Sequence, residues 1–139
     1  MTIKRYLLVA AFILLAYCNA LAGGVGTWKN YLSYSDVQWV EEGSNKLYVL
    51  ASNSLYTYNK NDQSIKTYDK VNGLSDTDIR FIAWNKTARR LVIIYSNNNI
   101  DLLDDRGNVT NVPDYYLKTT MADKTVNGID MSGVYCYLS

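Results

Sequence analysis

The chain has 139 residues, with 14 basic and 13 acidic side chains, no histidine and a single proline. A near-even charge with no basic block excludes the electrostatic footprint of a nucleic-acid binder and of a protein held on an anionic membrane surface. The missing histidine removes the commonest general base and metal ligand together.

At the N-terminus, Lys4 and Arg5 precede an apolar run of 12 residues from Tyr6 to Tyr17, followed by Ala20-Leu21-Ala22. A basic start, a short apolar stretch and an A-x-A site predict a secretory signal helix over residues 1–22, cleaved before Gly23. The run is too short to span a bilayer, so the mature chain is not membrane-spanning. Tyr17 stands where a lipoprotein signal requires a small residue, which argues against lipid attachment at Cys18. Cleavage removes Lys4, Arg5 and Cys18, leaving 12 basic against 13 acidic side chains and Cys136 as the lone cysteine. One cysteine makes no intrachain disulfide and no metal site, and its alternating neighbours predict a small, buried strand residue.

Residues 23–35 form an N-terminal segment whose Trp28 region is a possible ring-closing strand. From residue 36 onward, short runs of Tyr, Val, Ile, Leu and Thr are separated by Asn, Gly, Ser and Asp, the signature of antiparallel strands and tight turns. Strands are predicted at 37–41, 47–51, 55–58 and 64–68, then at 79–84, 91–95, 100–103 and 109–112. Turns fall at 42–45, 52–54 and 59–62, and Gly73 marks a crossover over 71–76. Pro113 suits a loop. A further pair of strands is predicted from about Val126 to the end, where the strand-like run 134–139 reads as a fragment of a longer protein.

Two of these stretches repeat. Lys46-Leu47-Tyr48-Val49-Leu50-Ala51-Ser52-Asn53 returns 44 residues later as Arg90-Leu91-Val92-Ile93-Ile94-Tyr95-Ser96-Asn97. A period of about 40–50 residues made of short strands is that of a β-propeller blade. The predicted fold is therefore all-β: a partial β-propeller of about two and a half four-stranded antiparallel blades, after an N-terminal signal helix. Its parts are blade 36–69, blade 78–112 and an incomplete blade 124–139. The runs 47–51 and 91–95 are continuously apolar, which marks strands covered on both faces.

Chemistry is sparse. Asp101, Asp104, Asp105 and Asn108 surround Gly107, but their spacing is not that of a twelve-residue calcium loop, and a polar hairpin turn accounts for them. Asn85-Lys86-Thr87 and Asn108-Val109-Thr110 fit the glycosylation sequon, and both read as chance turn composition. Asp36, Asp78 and Asp130 stand at strand entrances without visible partners. Of 13 tyrosines, Tyr6 and Tyr17 leave with the signal, so 11 remain. Most lie in strands and read as packing residues; Tyr31, Tyr34, Tyr115 and Tyr116 lie outside them as potential surface contacts. Serine has no histidine and no G-x-S-x-G elbow to activate it, and the glycines at 23–26 sit at the cleavage site rather than in a phosphate loop. No catalytic, cofactor-binding or metal-ligating residue is assigned.

Three segments carry a family resemblance: Gly26-Thr27-Trp28-Lys29-Asn30-Tyr31-Leu32-Ser33-Tyr34; Lys70-Val71-Asn72-Gly73-Leu74-Ser75-Asp76 with Ile79, Ile82 and Ala83; and the stretch from Leu91 to Leu102. Together they resemble the N-terminal β-propeller of PorZ-like proteins of Bacteroidetes, relatives of the two-component-regulator propeller repeats. The resemblance covers residues 25–139. It implies a non-enzymatic, exported protein of the periplasm or outer-membrane cell surface, serving type IX secretion by protein or glycan contacts. The implied partners are other secretion or surface proteins and lipopolysaccharide or glycan, with no cofactor. The rival expectation is the periplasmic sensor propeller of a hybrid two-component regulator that binds a glycan-derived ligand.

Two and a half blades leave apolar sheet faces in water. At roughly 25 cal/mol per Å², several hundred Å² per face is comparable to the whole stability of a small domain. The chain alone is therefore expected to be marginal or prone to aggregate. A monomeric, cooperative transition above about 60 °C would contradict this.

Overall fold

The computed structural model describes residues 34–121 and 124–139. The predicted signal peptide, Trp28, Tyr31 and most of segment 23–35 lie outside them.

Among the described residues, ten strands form three antiparallel sheets, each strand pairing with its neighbours in sequence. The first sheet is β1 (Val37–Glu42), β2 (Lys46–Ala51), β3 (Ser54–Asn59) and β4 (Ile65–Tyr68). The second is β5 (Ile79–Asn85), β6 (Arg90–Tyr95), β7 (Ile100–Asp104) and β8 (Val109–Asn111). The third is the hairpin β9 (Ile129–Ser132) and β10 (Tyr135–Leu138). One helical turn, α1 (Asp114–Leu117), follows Pro113, where the sequence points to a loop. Four residues are too few to leave a helical period in the sequence.

The repeated strands keep register while the turns between them vary. Ser52 and Asn53 join β2 to β3 with φ of 48° and 56°, a two-residue primed turn whose twist suits a hairpin. The equivalent β6–β7 turn is longer by one residue and includes Asn98 at φ 67°. That extra residue changes the spacing from 44 at the paired Leu50 and Ile94 to 45 at their partners Leu55 and Ile100.

The sheets stack face to face. Tyr48, Leu50, Leu55 and Tyr68 of the first sheet pack with Ile79, Ile82, Leu91, Ile93, Tyr95 and Leu103 of the second, with Leu74 of the crossover between them. The other face of the second sheet, Val92 and Ile94 with Phe81, Ile100 and Leu102, packs on Val126, Ile129, Met131 and Leu138. Alternate residues of β6 thus serve two interfaces, and all five from Leu91 to Tyr95 are buried. Tyr48 stacks on Trp84 at 5.1 Å between centroids, across the first joint. Gly43 permits this: a Cβ there would sit 2.7 Å from the Tyr48 ring. On β1, Val37, Trp39 and Val40 are exposed.

One polar group lies at the heart of the packed region. Asp101 has no exposed surface. Its carboxylate accepts from Tyr95 Oη at 2.6 Å, from the Ser75 backbone N–H at 2.8 Å and from Asn111 Nδ2 at 2.8 Å. Those donors belong to β6, the crossover and β8, so a single carboxylate on β7 ties the linker to three strands. A buried charge is tolerable only when paired or hydrogen-bonded in this way. Burial first, and then the neighbouring Asp101, push the Tyr95 hydroxyl well above its usual range, so it stays a donor.

Asp101→Ala strands the Tyr95 hydroxyl and the Ser75 N–H, whereas Asn111 keeps Asn99 Oδ1 and the Ile100 carbonyl as acceptors, and is expected to cost about 3–5 kcal/mol, the scale of breaking a buried charged cluster. Tyr95→Phe removes one bond to a charge and is expected to cost about 1.5–3 kcal/mol. Urea unfolding monitored by tryptophan fluorescence measures both; wild-type midpoints would rule out the network as a stabilising element.

Candidate binding surface

The first strands of the sheets adjoin in turn, β1 beside β5 and β5 beside β9. Both β1 and β5 carry a register shift at the same place, between Val37 and Trp39 and between Ile79 and Phe81. The extra residues are Gln38 and Arg80. A β-bulge adds one residue and re-aims its neighbours' side chains. Gln38, Trp39, Arg80 and Phe81 are thereby gathered around a cleft of about 370 Å³, which Leu50, Ile82, Gly128 and Ile129 also line. Trp39 is 57% exposed, and its indole N–H donates to Glu41 at 2.7 Å. The other Glu41 oxygen accepts from the Trp84 backbone N–H at 3.2 Å, joining β1 to β5. The Arg80 guanidinium lies 5.4 Å from the Phe81 ring centroid and 3.5 Å from Asn127 Oδ1. Among the described residues Arg80 has no carboxylate partner. The cleft thus offers two aromatic faces and one uncompensated cation.

A second cavity of about 300 Å³ opens at the joint between the first two sheets, lined by Ser52, Asn53, Ser54, Tyr68, Asp69 and parts of the crossover from Leu74 to Ile79. Its polar groups are already engaged. Asn53 exchanges two hydrogen bonds with the Gln38 side chain, donates to Asp78 at 2.5 Å, and accepts from the Ile79 N–H at 3.0 Å. Asp69 accepts the Asn72 N–H at 2.8 Å. The Thr77 N–H beside Asp76, with Asn97 and Lys70 adding to it, holds that carboxyl below its usual range. Hydrogen bonds from Asn53 and Ser96 do the same for Asp78. This cavity is a latch between sheets, whereas the cleft presents an exposed indole face and a guanidinium without a carboxylate partner among the described residues.

The same architecture occurs in proteins already known. Residues 47–139 match the family described as the type IX secretion PorZ N-terminal β-propeller domain. The chain belongs to this PorZ propeller family. It is 35% identical to PorZ of Porphyromonas gingivalis, an essential bacterial surface component of the type IX secretion system, with a TM-score of 0.75. The match covers 82% of this chain and 15% of that one, so the chain spans a small part of its relative. The extracellular domain of a candidate one-component system, BT4673 of B. thetaiotaomicron, shares the fold at a TM-score of 0.53 and 17% identity, over 76% of this chain and 14% of that one. No curated protein sequence matches the chain.

On this PorZ-type domain several sequence expectations change. Cys136, expected to be buried, is exposed: β10 pairs only with β9 among the described residues, so nothing covers its outer side. One side of Cys136 borders a groove with Val92 and Leu102, and partial burial raises its thiol pKa. Asp78, partnerless by sequence, is held by Asn53, and its carbonyl accepts from the Ser96 N–H at 3.0 Å. The Asp36 carbonyl accepts the corresponding Ser52 N–H at 2.8 Å, and Asp130 Oδ1 accepts its neighbour Met131 N–H. Tyr34 and Tyr115 are half-buried. Tyr34 packs edge-on against Tyr56 at 5.4 Å, and Tyr115 joins the Val126 cluster with its hydroxyl donating to the Lys124 carbonyl. Tyr116 is exposed.

The aspartates around Gly107 separate. Asp101 is the buried hub, Asp104 caps its own turn by accepting from the Arg106 and Asn108 N–H groups, and Asp105 pairs with Arg89. Among the described residues no group of three His, Cys, Asp or Glu side chains could hold a metal ion. No helix there is long and apolar enough to cross a membrane. In the first sequon Asn85 is buried, accepting from the Ala88 N–H and donating toward the Met131 sulfur. Gln38, Trp39, Arg80 and Phe81 do not stand out in the sequence, although a charge inside the apolar run Ile79-Arg80-Phe81-Ile82 is a usable signal.

Asp76, Asp78 and Asp104 all have folded pKa values below the ordinary 3.8. Lowered carboxylates stabilise fully above the unfolded value and lose that contribution as pH falls through the folded one. Urea midpoints are expected to be flat from about pH 5 to 7 and to fall below about pH 4. Leu91→Ala, in the double-sided core, is expected to cost about 2–5 kcal/mol. Trp39→Ala, at an exposed site, is expected to cost under about 0.5 kcal/mol in the same unfolding assay.

Proposed function

We propose that the chain is a non-enzymatic binding module of the cell envelope: two propeller blades and the opening hairpin of a third, acting within a type IX secretion assembly through protein or glycan contacts. The reading rests on membership of the PorZ propeller family together with the cleft at Arg80, Trp39 and Phe81. Its aromatic faces suit sugar rings or aromatic side chains, and its cation suits an anionic substituent on either. The carboxylates of Asp76, Asp78, Asp101 and Asp104 are spent on turns and joints, and the chain holds no histidine. Export to the periplasm or outer surface accords with the basic and apolar N-terminus and with the surface location of PorZ itself.

A sensor role is the second reading, favoured by the shared fold with the BT4673 extracellular domain. The gene sequence downstream of Ser139 separates the two. A sorting domain favours secretion; a membrane span followed by a kinase favours sensing.

Surface-immobilised chain is expected to bind purified lipopolysaccharide or an outer-membrane secretion protein. Arg80→Ala or Trp39→Ala should weaken that binding by roughly tenfold, the scale of a single aromatic or cation–π interaction in a partly desolvated site. Unaltered binding by both variants, with unfolding midpoints intact, would place the binding surface elsewhere.

A further inference from the structure

We propose that Asn72 is a site of spontaneous deamidation, and that the fold protects the chain's other Asn-Gly pair, Asn127-Gly128, from the same reaction. The sequence contains the step twice, as Val71-Asn72-Gly73 and Val126-Asn127-Gly128. The chemistry needs the glycine nitrogen to reach the asparagine carboxamide, so it favours pairs that are exposed, uncrowded and free to move. Val71, Asn72 and Gly73 are all exposed. Gly73 has φ 109°, and a Cβ there would meet open space. Only the Asn72 N–H is tied down, to the Asp69 carbonyl and carboxylate. Among the described residues, the Asn72 carboxamide and the Gly73 N–H make no hydrogen bond.

The second pair shares an exposed asparagine but differs in its backbone and in its glycine. The Asn127 and Gly128 N–H groups both donate to the Ser139 carbonyl, at 2.6 and 3.1 Å, and the Gly128 carbonyl accepts from the Ser139 N–H at 3.1 Å. Gly128 is half-buried, and a Cβ there would meet Ser139 Oγ at 2.8 Å. Its nitrogen cannot attack until the end of the β9–β10 hairpin opens.

In the reaction the Gly73 nitrogen gives its proton to solvent base and bonds to Asn72 Cγ, expelling ammonia and closing a five-membered imide. Water then adds to either imide carbonyl and opens the ring to aspartate or isoaspartate, with no change of oxidation state. The product places a carboxylate, and in the isoaspartate an extra backbone carbon, in the turn whose N–H groups cap Asp69. Asp69 lines the cavity between the first two sheets, so that latch gains like charge.

The test is incubation of the folded chain at mildly alkaline pH, with peptide mass spectrometry of both pairs. Asn72 is expected to convert about tenfold faster than Asn127, the scale set by one or two net hydrogen bonds that must open first. In denaturant the two rates should converge, since only the fold separates them. Asn72→Gln should leave the Asn127 rate unchanged and abolish the more acidic isoform seen by isoelectric focusing. Equal native rates, or faster conversion at Asn127, would overturn the proposal.

Discussion

Everything in this structure depends on a strand that has no wet side. From Leu91 to Tyr95, β6 carries five consecutive apolar or aromatic residues, and alternation sends them in opposite directions. Leu91, Ile93 and Tyr95 need cover from the first sheet; Val92 and Ile94 need it from Val126 and the β9–β10 hairpin. Neither sheet alone could bury them. Stacking is thus dictated by composition before any polar contact forms, and the latches then fix how the layers are aligned. The Asn53 bonds to Asp78 and Ile79 do this at one end of the first joint, and the Glu41 bond to the Trp84 N–H does it beside the Tyr48–Trp84 stack.

Polar groups in the fold divide by whether their capacity is used up. Asp101, Asp76, Asp78 and Asp104 each accept from named donors, so they hold shape and present little to a partner. Arg80, which meets Asn127 Oδ1 and the Phe81 ring but no carboxylate among the described residues, and the exposed face of Trp39 retain capacity. They reach the same cleft because two successive sheets carry a bulge at the same point of the first strand. The repeat therefore does more than build a core. It brings the same irregularity twice to neighbouring strands, and the aligned irregularities make the concavity.

The strands are legible because apolar alternation and turn residues coincide: the eight of the first two sheets begin and end within about a residue or two of the expected limits, the usual looseness of element boundaries. Continuous apolar runs also announce two-sided burial correctly for β2 and β6. The bulges are barely legible: Gln38 leaves no mark in composition, and only the charge of Arg80 inside an apolar run signals the second. Proximity in sequence groups Asp101 with the acidic turn. Strand parity corrects this, because Asp101 shares a face of β7 with the buried Leu103, opposite Ile100 and Leu102. Cys136 fails for another reason: alternation identifies a strand but does not say whether anything lies beside it.

Asn85 leaves one practical mark on how the protein can be handled. Its carboxamide is sealed in the β5–β6 turn, between the Ala88 N–H and the Met131 sulfur, so a glycosylating secretory pathway would find that sequon closed once the sheet had formed. Asn108 stands open to solvent in the β7–β8 turn, where its amide donates to Asp104. A glycan on Asn108 Nδ2 would release the Asp104 turn from its own side-chain clasp.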